Sequence, residues 1–344
     1  MGVTRPISVL FCLRGDRRRA SSRVRGYWIA DELERLGLRC TLLNPRRGAD
    51  YLRMAAALLR HDVVIFQKRQ ASLDLLMLKL ARRLGCQTYY DIDDAPRGLN
   101  PKRLANTEAM MRLADGVFAG SSNLVALARR HSAAVHLVPT GVMIANYAPR
   151  PEAPSAAVPC LGWIGNGADY APDLVAILKR PLERVAAVRP LRLKIVGACG
   201  VSELHTAFSG IAGLEADVID QIAWADPQAV QAEMADFDIG LYPLLDKEFN
   251  RYKCGFKALE YMARGLPVIA SRVGGTSDIV GEGMTGYLAS GEEQWCSALD
   301  RLTAAPGLCA EFGHQGRLRV EQDFATSRIA AGLLALFEAG RAAR

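Results

Sequence analysis

Short apolar runs alternate with amphipathic stretches along the first half of the chain. The runs at residues 7–13, 39–44, 62–66, 87–91, 117–119 and 135–138 are too brief for helices and predict buried strands. Between them, apolar residues recur at helical spacing over 23–36, 51–60, 73–84 and 102–114, and again after Ser121 and Ser122. This alternation implies a parallel sheet with helices on both faces.

Residues 147–159, YAPRPEAPSAAVP, place four prolines in thirteen positions, a composition that continues neither helix nor strand. The rhythm restarts after it. Strands are expected at 160–165, 191–197, 218–222, 239–242 and 267–271, with helices over 173–188, 227–235 and 256–264. From Glu292 onward the pattern is helical, near 292–304, 308–322 and 327–340. The expected organisation is a first Rossmann-like domain at 1–147, a Pro-rich linker at 148–159, a second Rossmann-like domain at 160–325, and a last helix at 326–344 packing back on the first domain. Two doubly wound domains of this kind predict a ligand cleft between the carboxyl ends of their sheets.

Composition narrows the class. Half of the 344 residues are apolar, yet no run approaches the ~18 consecutive apolar residues of a membrane-spanning helix. The opening MGVTRPISVLFCLRGD reads as a first strand and not a signal peptide, because Arg14 and Asp16 follow its apolar run. The eight cysteines show no C-x-x-C and no Cys/His ligand spacing, so reduced thiols, a cytoplasmic setting and no zinc site are expected. Net charge is +7, but unevenly spread: residues 1–150 hold 25 Lys and Arg against 12 Asp and Glu, and the remainder 18 against 24. A first half at +13 beside a second at −6 points to an anionic partner for the first, or to a solvated basic face.

The richest stretch is RYKCGFKALEYMARGLPVIASRVGGTSDIVGEGMTGYLAS at 251–290. A helix starting at Phe256 after Gly255 would present the amides of Phe256 and Lys257 to a diphosphate, with Gly255 permitting close approach and Lys253 and Lys257 adding charge. The stretch resembles the carboxyl-terminal signature of family 4 (group 1) glycosyltransferases of the GT-B fold. Residues 113–142, LADGVFAGSSNLVALARRHSAAVHLVPTGV, resemble the same family's last strands before the linker, and LGWIGNG and LKIVGA its first strands after it. The resemblance implies two Rossmann-like domains, a nucleotide-diphosphate-sugar donor and a retaining transfer to an acceptor hydroxyl. It implies donor contacts at Gly165, Asn166, Lys253, Gly255, Phe256, Lys257 and Glu260, the last on the ribose hydroxyls.

Three departures from the family pattern stand out. Tyr252 occupies the position eight before Glu260 where the family carries a first carboxylate. The Arg and Lys expected after the second domain's first strand are absent from WIGNGADYAPDL, leaving Lys253 and Lys257 to substitute. The first-domain strand ends YYDIDD, with Asp93 in the slot of a His. That run has three readings: a D-x-D metal grip by Asp91 and Asp93, Asp93 or Asp94 as catalytic carboxylates orienting the acceptor hydroxyl, or loop carboxylates paired with arginine.

The loop RGDRRRASSRVR at 14–25 carries six arginines, which suits bidentate anion binding. In the resembled family it faces donor and acceptor, placing Gly15 and Arg23 at the donor. It lacks the interleaved aromatics of a nucleic-acid site. The five histidines are isolated, and no G-x-S-x-G, H-E-x-x-H or Walker sequence is present. Ile222 and Trp224, at the end of a second-domain strand, either flank a nucleobase or pack in the core.

The sequence thus predicts a cytoplasmic, metal-independent glycosyltransferase in polysaccharide, glycolipid or glycoconjugate synthesis of the bacterial type. It needs a nucleotide sugar and no cofactor. An anionic or lipid-linked saccharide acceptor and peripheral contact with the inner face of a membrane fit the basic half. The alternatives are a nucleotide-sugar epimerase or hydrolase on the same fold, and a catalytically inactive partner subunit.

Overall fold

The computed structural model describes residues 5–96, 100–150, 158–224 and 226–344. These form two compact units, the first from the described residues up to 143 with 252–254 and 323–344, the second from those of 144–251 with 255–322. Residues 151–157 of the expected linker lie outside the described residues.

The first unit is built on β1 (Ser8–Cys12), β2 (Arg39–Leu43), β3 (Val63–Gln67), β4 (Gln87–Ile92), β5 (Gly116–Ala119) and β6 (Val135–Leu137). They pair in parallel in the order β2-β1-β3-β4-β5-β6. β1, β3, β4 and β5 are buried along their whole length, as runs such as SVLFC and VVIFQ require when helices cover both faces. Alternation along β1 separates the two cores. Leu10 and Cys12 join Met54, Leu58, Met77 and Leu78 on one face, and Val9 and Phe11 join Ile29, Leu33, Leu333 and Phe337 on the other. The last helix, Thr326–Ala342, therefore belongs to the first unit's core, and Gln87 Nε2 donates to Phe337 O at 2.9 Å.

The second unit pairs β7 (Cys160–Ile164), β8 (Leu191–Val196), β9 (Leu214–Ile219), β10 (Ile239–Tyr242), β11 (Val268–Ser271) and β12 (Gly286–Ala289) in parallel, in the order β12-β11-β10-β7-β8-β9. In each sheet the strand order reverses once, between β1 and β3 and between β7 and β10. Ligands of open α/β sheets bind at the carboxyl ends of strands at such points.

Five elements stand apart from the sequence expectation. The helix expected from residue 173 starts at Gly167 and runs to Ala186 through Pro172 and Pro181. Each proline removes one hydrogen bond, but Ala171, Leu174, Leu178, Leu182 and Val185 keep one face buried throughout. The strand expected at 218–222 is β9 at Leu214–Ile219, an edge strand whose exposed Glu215 and Asp217 interrupt its apolar pattern. β12 and the short helix Ser202–Ala207 had no expectation. The helix expected over 23–36 begins at Ala20 and contains a π-helical stretch, Arg23–Tyr27.

Candidate functional site

At the carboxyl edge of the first sheet, cations and carboxylates hold one another. Arg25, in the π-helical stretch, donates through Nε to Asp91 Oδ2 at 3.2 Å, through Nη2 to Asp91 Oδ1, and through Nη1 to Val138 O at 2.6 Å. Both partners are buried, and although burial works against the Arg25 charge, Asp91 outweighs it and holds the guanidinium above its ordinary value. Asp91 is thereby occupied, so the D-x-D reading would require breaking a buried ion pair.

Lys68, directly after β3, has φ +49°, a left-handed conformation uncommon for a side chain of this kind. Its Nζ lies 2.8 Å from both Asp93 Oδ1 and Asp94 Oδ2. Burial alone would raise the Asp93 carboxyl, but Lys68 and then Arg25 outweigh it and hold it below the ordinary carboxylate range. The two residues expected to be catalytic are thus the anions of a lysine clamp. Asp94 is the more accessible of the pair, and Lys253 Nζ stands 3.9 Å from its Oδ1. Cys254 Sγ donates to Asp93 O at 2.9 Å, which ties the 252–254 segment to this edge.

The arginine loop is divided in its tasks. Arg25 is buried; Arg23 donates to the carbonyls of Arg17 and Arg18 at 3.4 and 3.3 Å and lies over the Trp28 ring; Arg17 pairs with Asp31 at 2.5 Å. Arg23 therefore braces the loop, where the sequence reading had it at the donor. The Gly15 amide donates to Ser22 Oγ at 3.0 Å, an internal loop contact. Arg14, Arg18 and Arg19 are exposed, and desolvation with Arg19 and Arg103 nearby lowers the Arg14 guanidinium from its ordinary value. Arg69 had no expectation attached. It donates to Asp74, Leu13 O, Pro45 O and the Tyr51 hydroxyl, joining the ends of β1 and β3 to two helices.

The carboxyl edge of the second sheet is made of backbone and rings. Gly255, at φ +67°, opens the helix Phe256–Ala263, and a Cβ there would meet Ile279 Cδ1 at 2.6 Å. Only glycine suits both conditions. Lys257 extends from the first turn with Nζ 5.9 Å from the Trp163 ring centre and 5.7 Å from that of Trp224. Its stem crosses Gly165, where a Cβ would lie 2.7 Å from Lys257 Cε. Gly197, at φ +87°, lets Trp224 close in, since a Cβ there would stand 2.7 Å from the indole. Trp224 follows β9 in a loop and is 40% exposed, so it is a rim residue and not a core one. Asn166 bonds to Asp169 at 2.8 Å and accepts from Cys199 Sγ at 3.1 Å. Glu260 Oε1 accepts from the Tyr147 hydroxyl at 2.7 Å. Below this edge the buried Asp173 holds Lys247 at 3.0 Å and Asn250 at 2.7 Å, pinning the loop after β10.

The structure thus brings Gly165, Lys257, Trp163, Trp224 and Gly197 together around the β7 and β8 ends, with Gly255 and Phe256 opening the adjoining helix. Lys253 is engaged by Asp94. Residues 159–305 of this chain match the family model of the group 1 glycosyl transferases. The chain resembles that family. A D-inositol 3-phosphate glycosyltransferase of Gordonia bronchialis is 34% identical over 44% of this chain and 34% of its own length. One from Actinosynnema mirum is 31% identical over 60% and 53%, respectively. The chain therefore spans a third to a half of the length of these relatives.

Among solved structures, sucrose-phosphate synthase from Thermosynechococcus elongatus superposes with a TM-score of 0.74 at 17% identity, covering 99% of this chain and 100% of that one. Anabaena HepE in complex with UDP-glucose gives 0.69 at 14%, covering 97% and 100%. Such likeness shows the fold, which is the GT-B fold of two doubly wound sheets.

Proposed function

We propose that this protein is a glycosyltransferase that moves a sugar from a nucleotide-diphosphate donor to an acceptor hydroxyl. The observation that carries this reading is the Gly255-opened helix with Lys257 lying across Gly165 between two indoles. A helix start with a lysine and small residues beside it suits a diphosphate, and HepE, of the same fold, is described in complex with UDP and with UDP-glucose. As the anomeric C–O bond breaks, negative charge grows on the leaving diphosphate, and Lys257 with the helix dipole stabilises it there. Trp224 offers a ring to the base, and Glu260, oriented by Tyr147, offers a carboxylate to the ribose.

Retention at the anomeric carbon is what the family resemblance implies, and work on polysaccharide, glycolipid or glycoconjugate acceptors in the cytoplasm is part of the same reading. Exposed Arg14, Arg18 and Arg19 favour an acceptor that carries an anionic group. The reaction is expected to continue in excess chelator, since Lys257 and the helix supply positive charge. The test is turnover of a panel of nucleotide sugars with and without saccharide acceptors. Glycoside formed only when an acceptor is present supports transfer; sugar released equally in its absence favours the hydrolase, and no turnover with any donor the protein binds favours an inactive subunit.

A further inference from the structure

One face of the first unit is both greasy and predominantly basic, with Asp50 its one half-exposed acid among residues 48–60 and 72–84. The helices Gly48–Leu58 and Ser72–Arg83 lie side by side over β1, β3 and β4, and bury Tyr51, Met54, Leu58, Met77, Leu78 and Ala81 inward. Tyr51 OH donates to Asp74 Oδ1 at 2.8 Å, and Arg69 bonds to both, so the two helices form one fixed plate. Eleven large apolar side chains are exposed among the described residues, and four of them stand on this plate's outer side: Leu52 at 75%, Leu59 at 72%, Leu76 at 53% and Leu73 at 43%. Their spacing of three and seven along the helices aligns them outward. Every exposed charged residue from 48 to 60 and from 72 to 84 is a cation: Arg53, Arg60, Lys79, Arg82 and Arg83.

We propose that this plate is a docking surface for an anionic lipid bilayer. Leucines interleaved with Lys and Arg suit the boundary of headgroup and acyl chain, where apolar tips insert and cations meet lipid phosphates. A second copy of the chain fits poorly, because a self-complementary interface would set these like charges against each other. Nucleic acid fits poorly too, because the outer positions carry leucine and no aromatic ring for a base to stack on. No helix among the described residues is long and apolar enough to cross a membrane, so the contact lies on the surface. The proposal deepens the acceptor side of the function proposed above, since an anionic acceptor held in a lipid leaflet would be met by this unit.

The experiment is flotation of the whole protein with vesicles of phosphatidylcholine, alone or with one third phosphatidylglycerol, at low and high salt. The wild type is expected to float with the anionic vesicles only, and less so as salt rises. Leu52→Ser/Leu59→Ser/Leu76→Ser and, separately, Arg53→Glu/Arg60→Glu should each lower partition by about tenfold or more, with unchanged melting temperature. Absence of flotation, equal flotation of both variants and wild type, or a concentration-dependent dimer that the leucine variant abolishes would overturn the proposal. Nucleoside diphosphate titration of the wild type separates the two readings: no flotation with intact nucleotide binding sinks only the docking surface, and flotation without nucleotide binding sinks only the donor site.

Discussion

The two sheets end in different chemistry. At the carboxyl edge of the first, Arg25 with Asp91, Lys68 with Asp93 and Asp94, and Arg69 with Asp74 neutralise one another in partly or fully buried pairs. At the edge of the second, Gly165, Gly197 and Gly255 leave room beside the backbone, and a single lysine lies over two indoles. The same place in the same kind of sheet is thus held rigid by charge in one unit and shaped for approach in the other. Charge density in a sequence therefore marks where structure is fixed as readily as where a ligand binds.

The largest effect should come from Arg25→Met, which leaves Asp91 buried without its partner and costs about 3–5 kcal/mol in chemical denaturation. A loss under ~1 kcal/mol would mean that the first edge is not held by its ion pairs. Lys68→Met should cost about 2 kcal/mol or more at neutral pH, and it should also change the pH dependence of stability. In the wild type the depressed Asp93 carboxyl contributes stability that is present above the unfolded value of about 3.9 and lost as pH falls through the lower folded value. Without Lys68 the effect of burial is opposed chiefly by Arg25, so that carboxyl rises above its wild-type value and the variant should gain stability relative to wild type as pH drops from 7 towards 4. Parallel stability curves would contradict the clamp.

At the second edge Gly255→Ala forces a side chain into the left-handed region against Ile279 and should cost about 1–2 kcal/mol, together with nucleotide affinity. The smallest effect on stability belongs to Lys257→Ala. Its melting temperature should move by no more than about 1 kcal/mol of lost ring contact implies, because the residue's task is proposed to be ligand binding.

Much of this was legible in the sequence where the signal is local. Gly255, Lys257 and Glu260 lie within six positions, so a helix opened by glycine, with its lysine and acid, can be read without knowing what packs on it. The first edge depends on distant partners: Arg25 and Asp91 are 66 residues apart, and Lys68 and Asp94 are 26 apart. Nothing in RRRASSRVR marks Arg25 as the buried member, because it is the π-helical stretch and the strand order that deliver it to β4. Lys68 carried no pattern at all, and its left-handed backbone is visible only in the fold. The edge strand β9 is misread for a similar reason, since its Glu215 and Asp217 are exposed and break the apolar run.

The central claim is that the second edge holds the diphosphate of a sugar donor through Lys257. It is tested most directly by calorimetric titration of uridine and guanosine diphosphates into the wild type and Lys257→Ala. Loss of one charge-assisted contact is worth about 1.5–3 kcal/mol, so at least one diphosphate should bind the wild type and bind the variant roughly tenfold or more weakly. Equal affinity of both proteins for every diphosphate that binds would contradict the account.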